Sequence, residues 1–158
     1  MVFIMVKVIV VYESKYGNTK LVAETVIKGM REVQGVETLL NELKEVDLNK
    51  IAEFDLILIG SPNHYGGPTK SVREFIDKLE KLNLDGRHFA VFDTYLGKGF
   101  FEKAAKKMEK RISEKVPGLK QIAPRLSIAV QGSKGPVVEG EFPKCREFGK
   151  KIAIQLKT

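Results

Sequence analysis

Apolar residues fall into two rhythms that alternate along the chain. Val6 to Tyr12 is a nearly unbroken apolar run, the pattern of a strand buried on both faces. From Thr19 the period changes: Val22, Val26, Met30 and Val33 recur at helical spacing while Glu24, Lys28 and Arg31 fall on the other side. Val36 to Leu40 reads as a second, weaker strand and Phe54 to Gly60 as a third, fully buried one. Val72, Phe75, Ile76 and Leu79 mark one face of a second helix, with Pro68 suited to its first turn. Arg87 to Asp93 gives a fourth strand. Phe101, Ala104, Met108 and Ile112 form the stripe of a third helix that stops before Pro117-Gly118. Leu126 to Val130 is the fifth strand, and Cys145, Phe148, Ile152 and Leu156 line a last helix.

Strands separated by helices imply right-handed crossovers and a parallel sheet covered on both faces. The pattern predicts one α/β domain over residues 1–158, a doubly wound five-stranded parallel sheet in the order 2-1-3-4-5. In such a sheet ligands bind beyond the carboxyl ends of the strands, where the order reverses. That directs attention to three loops: Glu13 to Thr19, Ser61 to Pro68, and Thr94 to Gly99.

Composition narrows the class. A length of 158 residues with 43% apolar and 30% charged residues suits one globular domain with a real core. The single cysteine, Cys145, excludes an internal disulfide, a four-thiolate zinc site and a protein-ligated iron–sulfur cluster. With only His64 and His88 besides, a dedicated metal site is not expected. The apolar opening, Met1 to Val6, has no basic leader and is cut by Lys7, so neither signal peptide nor membrane span is expected, and the cytoplasm is the expected compartment. Net charge is +7, and Lys98 to Lys115 carries seven basic residues against three acidic ones. This stretch reads as the solvated face of the third helix, with Glu102–Lys106 as an i,i+4 pair, or as a docking surface for an acidic partner. It lacks any nucleic-acid motif or interleaved aromatics, so no nucleic-acid partner is expected.

The first loop, Ser14-Lys15-Tyr16-Gly17-Asn18-Thr19, combines hydroxyls, a glycine and a helix start, the parts of a phosphate cradle. The alternative is a turn in which Asn18 or Thr19 only caps the helix. The second, Ser61-Pro62-Asn63-His64-Tyr65-Gly66-Gly67-Pro68, is small, polar and glycine-rich with two rings, suited to a flat polar heterocycle or else a simple turn. The third, Asp93-Thr94-Tyr95-Leu96-Gly97-Lys98-Gly99, again sets an aromatic among small residues. Tyr65 and Tyr95 on neighbouring loops are placed to sandwich a planar ring.

S-x-Y-G-N-T after the first strand, G-S-P-x-x-Y-G-G-P after the third and D-T-Y-x-G after the fourth together resemble the flavodoxin-like FMN proteins, over essentially the whole chain. The resemblance implies non-covalent FMN, with Ser14, Tyr16, Gly17, Asn18 and Thr19 at the phosphate. Ser61, Pro62, Asn63, His64, Tyr65 and Gly66 would border the ring on one side, and Asp93, Thr94, Tyr95 and Gly97 on the other. His64 is either a solvated loop residue or a neighbour of the flavin that couples its reduction to a proton. A backbone carbonyl near Gly66 would turn toward the singly reduced ring. The implied function is a short-chain electron carrier between redox partner proteins, acting as a monomer or weak homo-oligomer. Tyr16 and the S-P-x-x-Y-G-G-P wording also resemble flavodoxin-fold quinone reductases, so the alternative is an NAD(P)H-dependent FMN quinone or small-molecule reductase.

Other users of this sheet lack their residues here. The third strand ends in Gly60-Ser61 rather than a phosphoacceptor Asp, and neither G-x-G-x-x-G, a P-loop nor a G-x-S-x-G elbow occurs.

Overall fold

The computed structural model describes residues 5–96 and 101–158. Its elements run β1 (Val6–Tyr12), α1 (Asn18–Met30), β2 (Val36–Glu42), β3 (Leu56–Pro62), α2 (Lys70–Leu79), β4 (His88–Leu96), α3 (Lys103–Lys115), β5 (Lys120–Gln121), β6 (Leu126–Val130) and α4 (Phe142–Lys157), with short 3₁₀ turns between β2 and β3. All strand pairs are parallel, in the order β2-β1-β3-β4-β5, with β6 also on β4. The expected 2-1-3-4-5 sheet is present.

Alternation along β1 assigns the two layers. Val8, Val10 and Tyr12 face α1 and α4, whereas Ile9 and Val11 face α2 and α3. β1 and β3 are buried on both faces, which is why they read as continuous apolar runs, while the edge strand β2 is half-exposed and reads weakly. Helices α1 and α4 touch backbone to backbone: a Cβ on Gly29 would lie 1.9 Å from the Arg146 carbonyl oxygen, and one on Gly149 2.0 Å from that of Val26. Burial of Phe89, Phe92, Ile57 and Leu58 among other core side chains contributes about 1.5–3 kcal/mol each. Cys145 is fully buried in the α4 layer, and burial pushes its thiol up to about 12. Among the described residues no helix is long and apolar enough to cross a membrane.

Four expectations need correction. The fifth sheet position holds two strands, not one: β5 pairs with His88–Phe89 and β6 with Phe92–Leu96. Pro124, which has no N–H to donate, lies between them. β4 continues three residues beyond Asp93, so Thr94 and Tyr95 are strand residues, held by β6, rather than loop residues. Helix α2 starts after Thr69, whose hydroxyl accepts the Val72 N–H at 3.3 Å, so Pro68 precedes the helix instead of sitting in its first turn. Glu102 does not pair with Lys106. It adopts φ 64° and turns its carboxylate to Arg125 at 2.6 Å, which also holds Glu109 at 2.7 Å.

Candidate functional site

β1, β3, β4 and β6 all end at one edge of the sheet, and the loops that leave them surround a cleft of about 240 Å³ between β1 and β4. From the first loop Ser14, Lys15, Tyr16, Asn18 and Thr19 line it; from the second, Pro62, Asn63 and His64; from β4, Thr94, Tyr95 and Leu96. Val130 and Ser133 close the side next to β6. Among the described residues no carboxylate lines the cleft, and Lys15 adds a positive charge.

The first loop is shaped by its backbone. Gly17 takes φ 91°, open to glycine at no steric cost, and its N–H donates to Ser14 Oγ at 3.0 Å. This turn delivers the chain into α1 with no side chain capping the helix and no acidic residue in its first turn. Among the described residues the N–H groups of this start have no capping side chain, and with the positive end of the helix dipole they open into a cleft that no carboxylate lines, a fit for a phosphate. Thr19 Oγ1 lies 3.1 Å from Thr94 Oγ1 in the buried floor and ties this loop to β4.

The second loop is anchored by Asn63. Its N–H and its Nδ2 donate to the Thr94 carbonyl at 2.9 and 3.2 Å, and its Oδ1 accepts the Ala104 N–H at 2.8 Å. Next to it, Asp93 Oδ2 accepts the Ala105 N–H at 2.9 Å and Oδ1 accepts the Ser127 hydroxyl at 2.6 Å. Burial pushes the Asp93 carboxyl above the usual carboxylate range, and the hydrogen bonds from Ser127, Ala105 and Asn63 only partly offset it. Ser61 is also turned inward, its Oγ accepting the Thr69 N–H at 3.2 Å. Ser61 and Asp93 therefore hold the walls from behind and do not face the cleft.

Residues 64–67 form a tight turn closed by His64 N–H to Gly67 carbonyl at 2.7 Å and the reciprocal bond at 3.2 Å. Its central residues, Tyr65 and Gly66, both have positive φ, 51° and 78°. This geometry throws the Tyr65 ring outward, 92% exposed and edge-on to His64 at 4.6 Å, while Gly66 is buried. Tyr65 and Tyr95 do not face each other across the cleft: His64 and Tyr95 line it instead. Tyr95 packs edge-on against Phe101 at 5.0 Å, and burial, followed by the charge of Glu141, raises its phenol above the ordinary value. Gly97 lies outside the described residues.

Sequence reasoning missed Lys15, Leu96, Val130 and Ser133. Val130 ends β6, and Ser133 belongs to a fourth loop, residues 131–136, whose Gly135 packs against the Asn18 side chain. Its signal was available: Gln131-Gly132-Ser133-Lys134-Gly135-Pro136 follows the last strand directly at the same edge.

The arrangement is one found in known proteins. A curated flavodoxin of Clostridium saccharobutylicum is 30% identical over 88 residues, 56% of this chain and 55% of that protein. One of Aquifex aeolicus is 34% identical over 98 residues, 60% and 53%. An NAD(P)H dehydrogenase (quinone) of Geotalea daltonii is 28% identical over 104 residues, 51% of each. The chain thus spans about half the length of the curated relatives it matches. Among solved structures, a flavodoxin from the domain Archaea superposes with a TM-score of 0.82 at 27% identity, covering 96% of this chain and 99% of the other. A sequence model described as a flavodoxin domain matches residues 9–130, which takes in three of the four loops around the cleft, and the chain belongs to the flavodoxin family, whose cofactor is FMN.

Proposed function

We propose that the cleft between β1 and β4 holds FMN, with its phosphate at the start of α1, and that the protein carries electrons between partner proteins. The observation that carries this is the helix start itself: among the described residues, α1 opens uncapped into a cleft that no carboxylate lines. The Asn18, Thr19 and Lys20 N–H groups, with the hydroxyls of Ser14, Tyr16 and Thr19, would bind the phosphate, and Lys15 would add Coulomb attraction. Pro62, Asn63 and His64 would border the ring from one side and Thr94, Tyr95 and Leu96 from the other, excluding water from both. FMN, when bound, supplies reversible uptake and release of electrons. The chain's part is to hold the loops in place: Asn63 fastens the second loop to β4 and α3, and Thr19 fastens the first to Thr94. In the turn after Asn63 it is Gly66, at φ 78°, whose backbone is free to reorient beside a bound ring.

The test is to load the purified protein with FMN, desalt it and follow the visible spectrum through stepwise anaerobic photoreduction. One retained flavin per chain that takes its electrons one at a time is the expected result. Loss of the flavin on desalting would overturn the reading. Retained flavin reduced only in pairs, with turnover of NAD(P)H and a quinone, would favour the reductase that the relative from Geotalea daltonii brings to mind.

A further inference from the structure

Two more hollows adjoin the cleft and share residues with it. One, of about 490 Å³, runs from Ser14 and Lys15 over His64 to Lys70 and Arg73. The other, of about 480 Å³, continues from His64 and Tyr65 past Arg73 to Lys107 and Lys110. His64 lies in all three, so cleft and hollows make one trough that leads from the proposed cofactor site across α2 and α3.

Charge in this trough is left uncompensated. Among the described residues Lys15, Arg73, Lys107 and Lys110 have no carboxylate within ion-pair distance, whereas nearby Lys70 pairs with Glu74 at 3.8 Å and Arg111 with Asp77 at 2.7 Å. The two carboxylates that line it are Glu13, which takes the Thr69 hydroxyl, and Glu114. Lys107 lies along the second loop, so that a Cβ on Gly67 would meet its Cδ at 3.4 Å. Over this basic floor stands the Tyr65 ring, exposed at the tip of a turn whose φ of 51° opposes a side chain. Strained backbone persists where the surroundings hold it, and exposed Tyr beside Arg is the composition of interface hot spots.

We infer that this trough is the docking surface for the redox partner, and that the partner is a protein presenting an acidic face with an apolar spot opposite Tyr65. The inference rests on the electron-carrier reading above. The cations are exposed, come from three separate elements and surround a projecting aromatic. A small anion would need them converging and buried, while an acidic protein surface meets all of them at once and is steered by their summed field.

The test uses the FMN-loaded protein and an acidic [2Fe–2S] ferredoxin as probe, with binding measured by titration calorimetry. The Kd should rise about tenfold or more between about 20 and about 200 mM salt. Lys107→Glu with Lys110→Glu should weaken binding at least about tenfold at low salt, while the equal charge change Lys28→Glu with Lys81→Glu, in the last turn of α1 and just past the end of α2, should weaken it less than about threefold. Equal weakening by the two pairs, salt-independent binding, or duplex DNA bound as tightly as ferredoxin would each overturn the docking surface. Flavin retention is read separately on every variant. Protein that keeps FMN but ignores the Lys107/Lys110 reversal leaves the carrier reading standing without this surface. Protein that loses FMN yet shows the expected site-specific binding keeps the surface and defeats the carrier reading.

Discussion

The helices α1, α2 and α3 follow strands that end at the carboxyl edge of this sheet, and they begin differently. α2 is capped by its own Thr69. α3 follows Glu102, which caps nothing, but its Ala104 and Ala105 N–H groups are taken by Asn63 and Asp93, reached from other elements. α1 has neither arrangement: Gly17 at its start has no side chain, and among the described residues no side chain caps it. An uncapped helix start forgoes about 1 kcal/mol that a Ser, Thr, Asp or Asn would contribute. Two starts serve the fold; the third leaves its donors open for an anion. Asn63 belongs to both sets, since it closes α3 and also lines the cleft, so the position of α3 and the shape of the binding loop are mechanically linked.

The largest expected effect tests the closed side. Asp93→Ala orphans the Ala105 N–H and the Ser127 hydroxyl in a buried setting and should destabilise the protein by about 3 kcal/mol, read as a shift in denaturant midpoint at unchanged slope. A variant as stable as the parent would mean the closed start has another source. Gly17→Asp tests the open side: a carboxylate at the mouth of the cradle should lower FMN affinity about a hundredfold, about 2.7 kcal/mol, as read by flavin fluorescence titration. Its stability should fall by only about 1 kcal/mol, the left-handed strain being partly offset by the helix dipole. Unchanged FMN affinity would place the phosphate elsewhere. Thr69→Ala removes the α2 cap and should cost about 1 kcal/mol without altering FMN affinity, since Thr69 does not line the cleft. The smallest effect is in pH. The folded Asp93 carboxyl is raised above its unfolded value, so the folded state holds a proton that the unfolded chain has already lost. Its contribution is therefore greatest below the unfolded pKa near 4 and falls as pH rises through the raised value. Denaturant midpoints of the parent and of Asp93→Asn at pH 4 and pH 7 should show the difference moving in favour of the Asn variant at pH 7.

Much of this was legible in the chain itself. β1 and β3 read as strands because burial on both faces requires unbroken apolar runs, and α2 read as a helix because its stripe meets a single layer. The extension of β4 through Tyr95 was not legible, because Thr94 and Tyr95 resemble loop residues until Ile128 and Ala129 pair with them. The split of the last strand depended on where Pro124 falls relative to β4, a matter of register rather than local pattern. In the site, residue types identified the first loop as an anion cradle or a capped turn. The cap geometry of α1 and its neighbours, which supports the first, was not legible in the chain.

Local period and residue chemistry determined the order of elements, the sheet class and three of the loops around the cleft, because each depends on near neighbours in sequence. Tertiary structure decided which side chains face the cleft: that the Asp93 carboxylate turns inward to take the N–H of Ala105, 12 residues on, that Tyr65 swings outward while His64 and Tyr95 line the cleft, and that Ser133 and Asn18 line it together across 115 residues of chain. Those orientations are set by backbone sign at a turn and by which buried N–H groups need a partner, and neither is known until the segments have packed together.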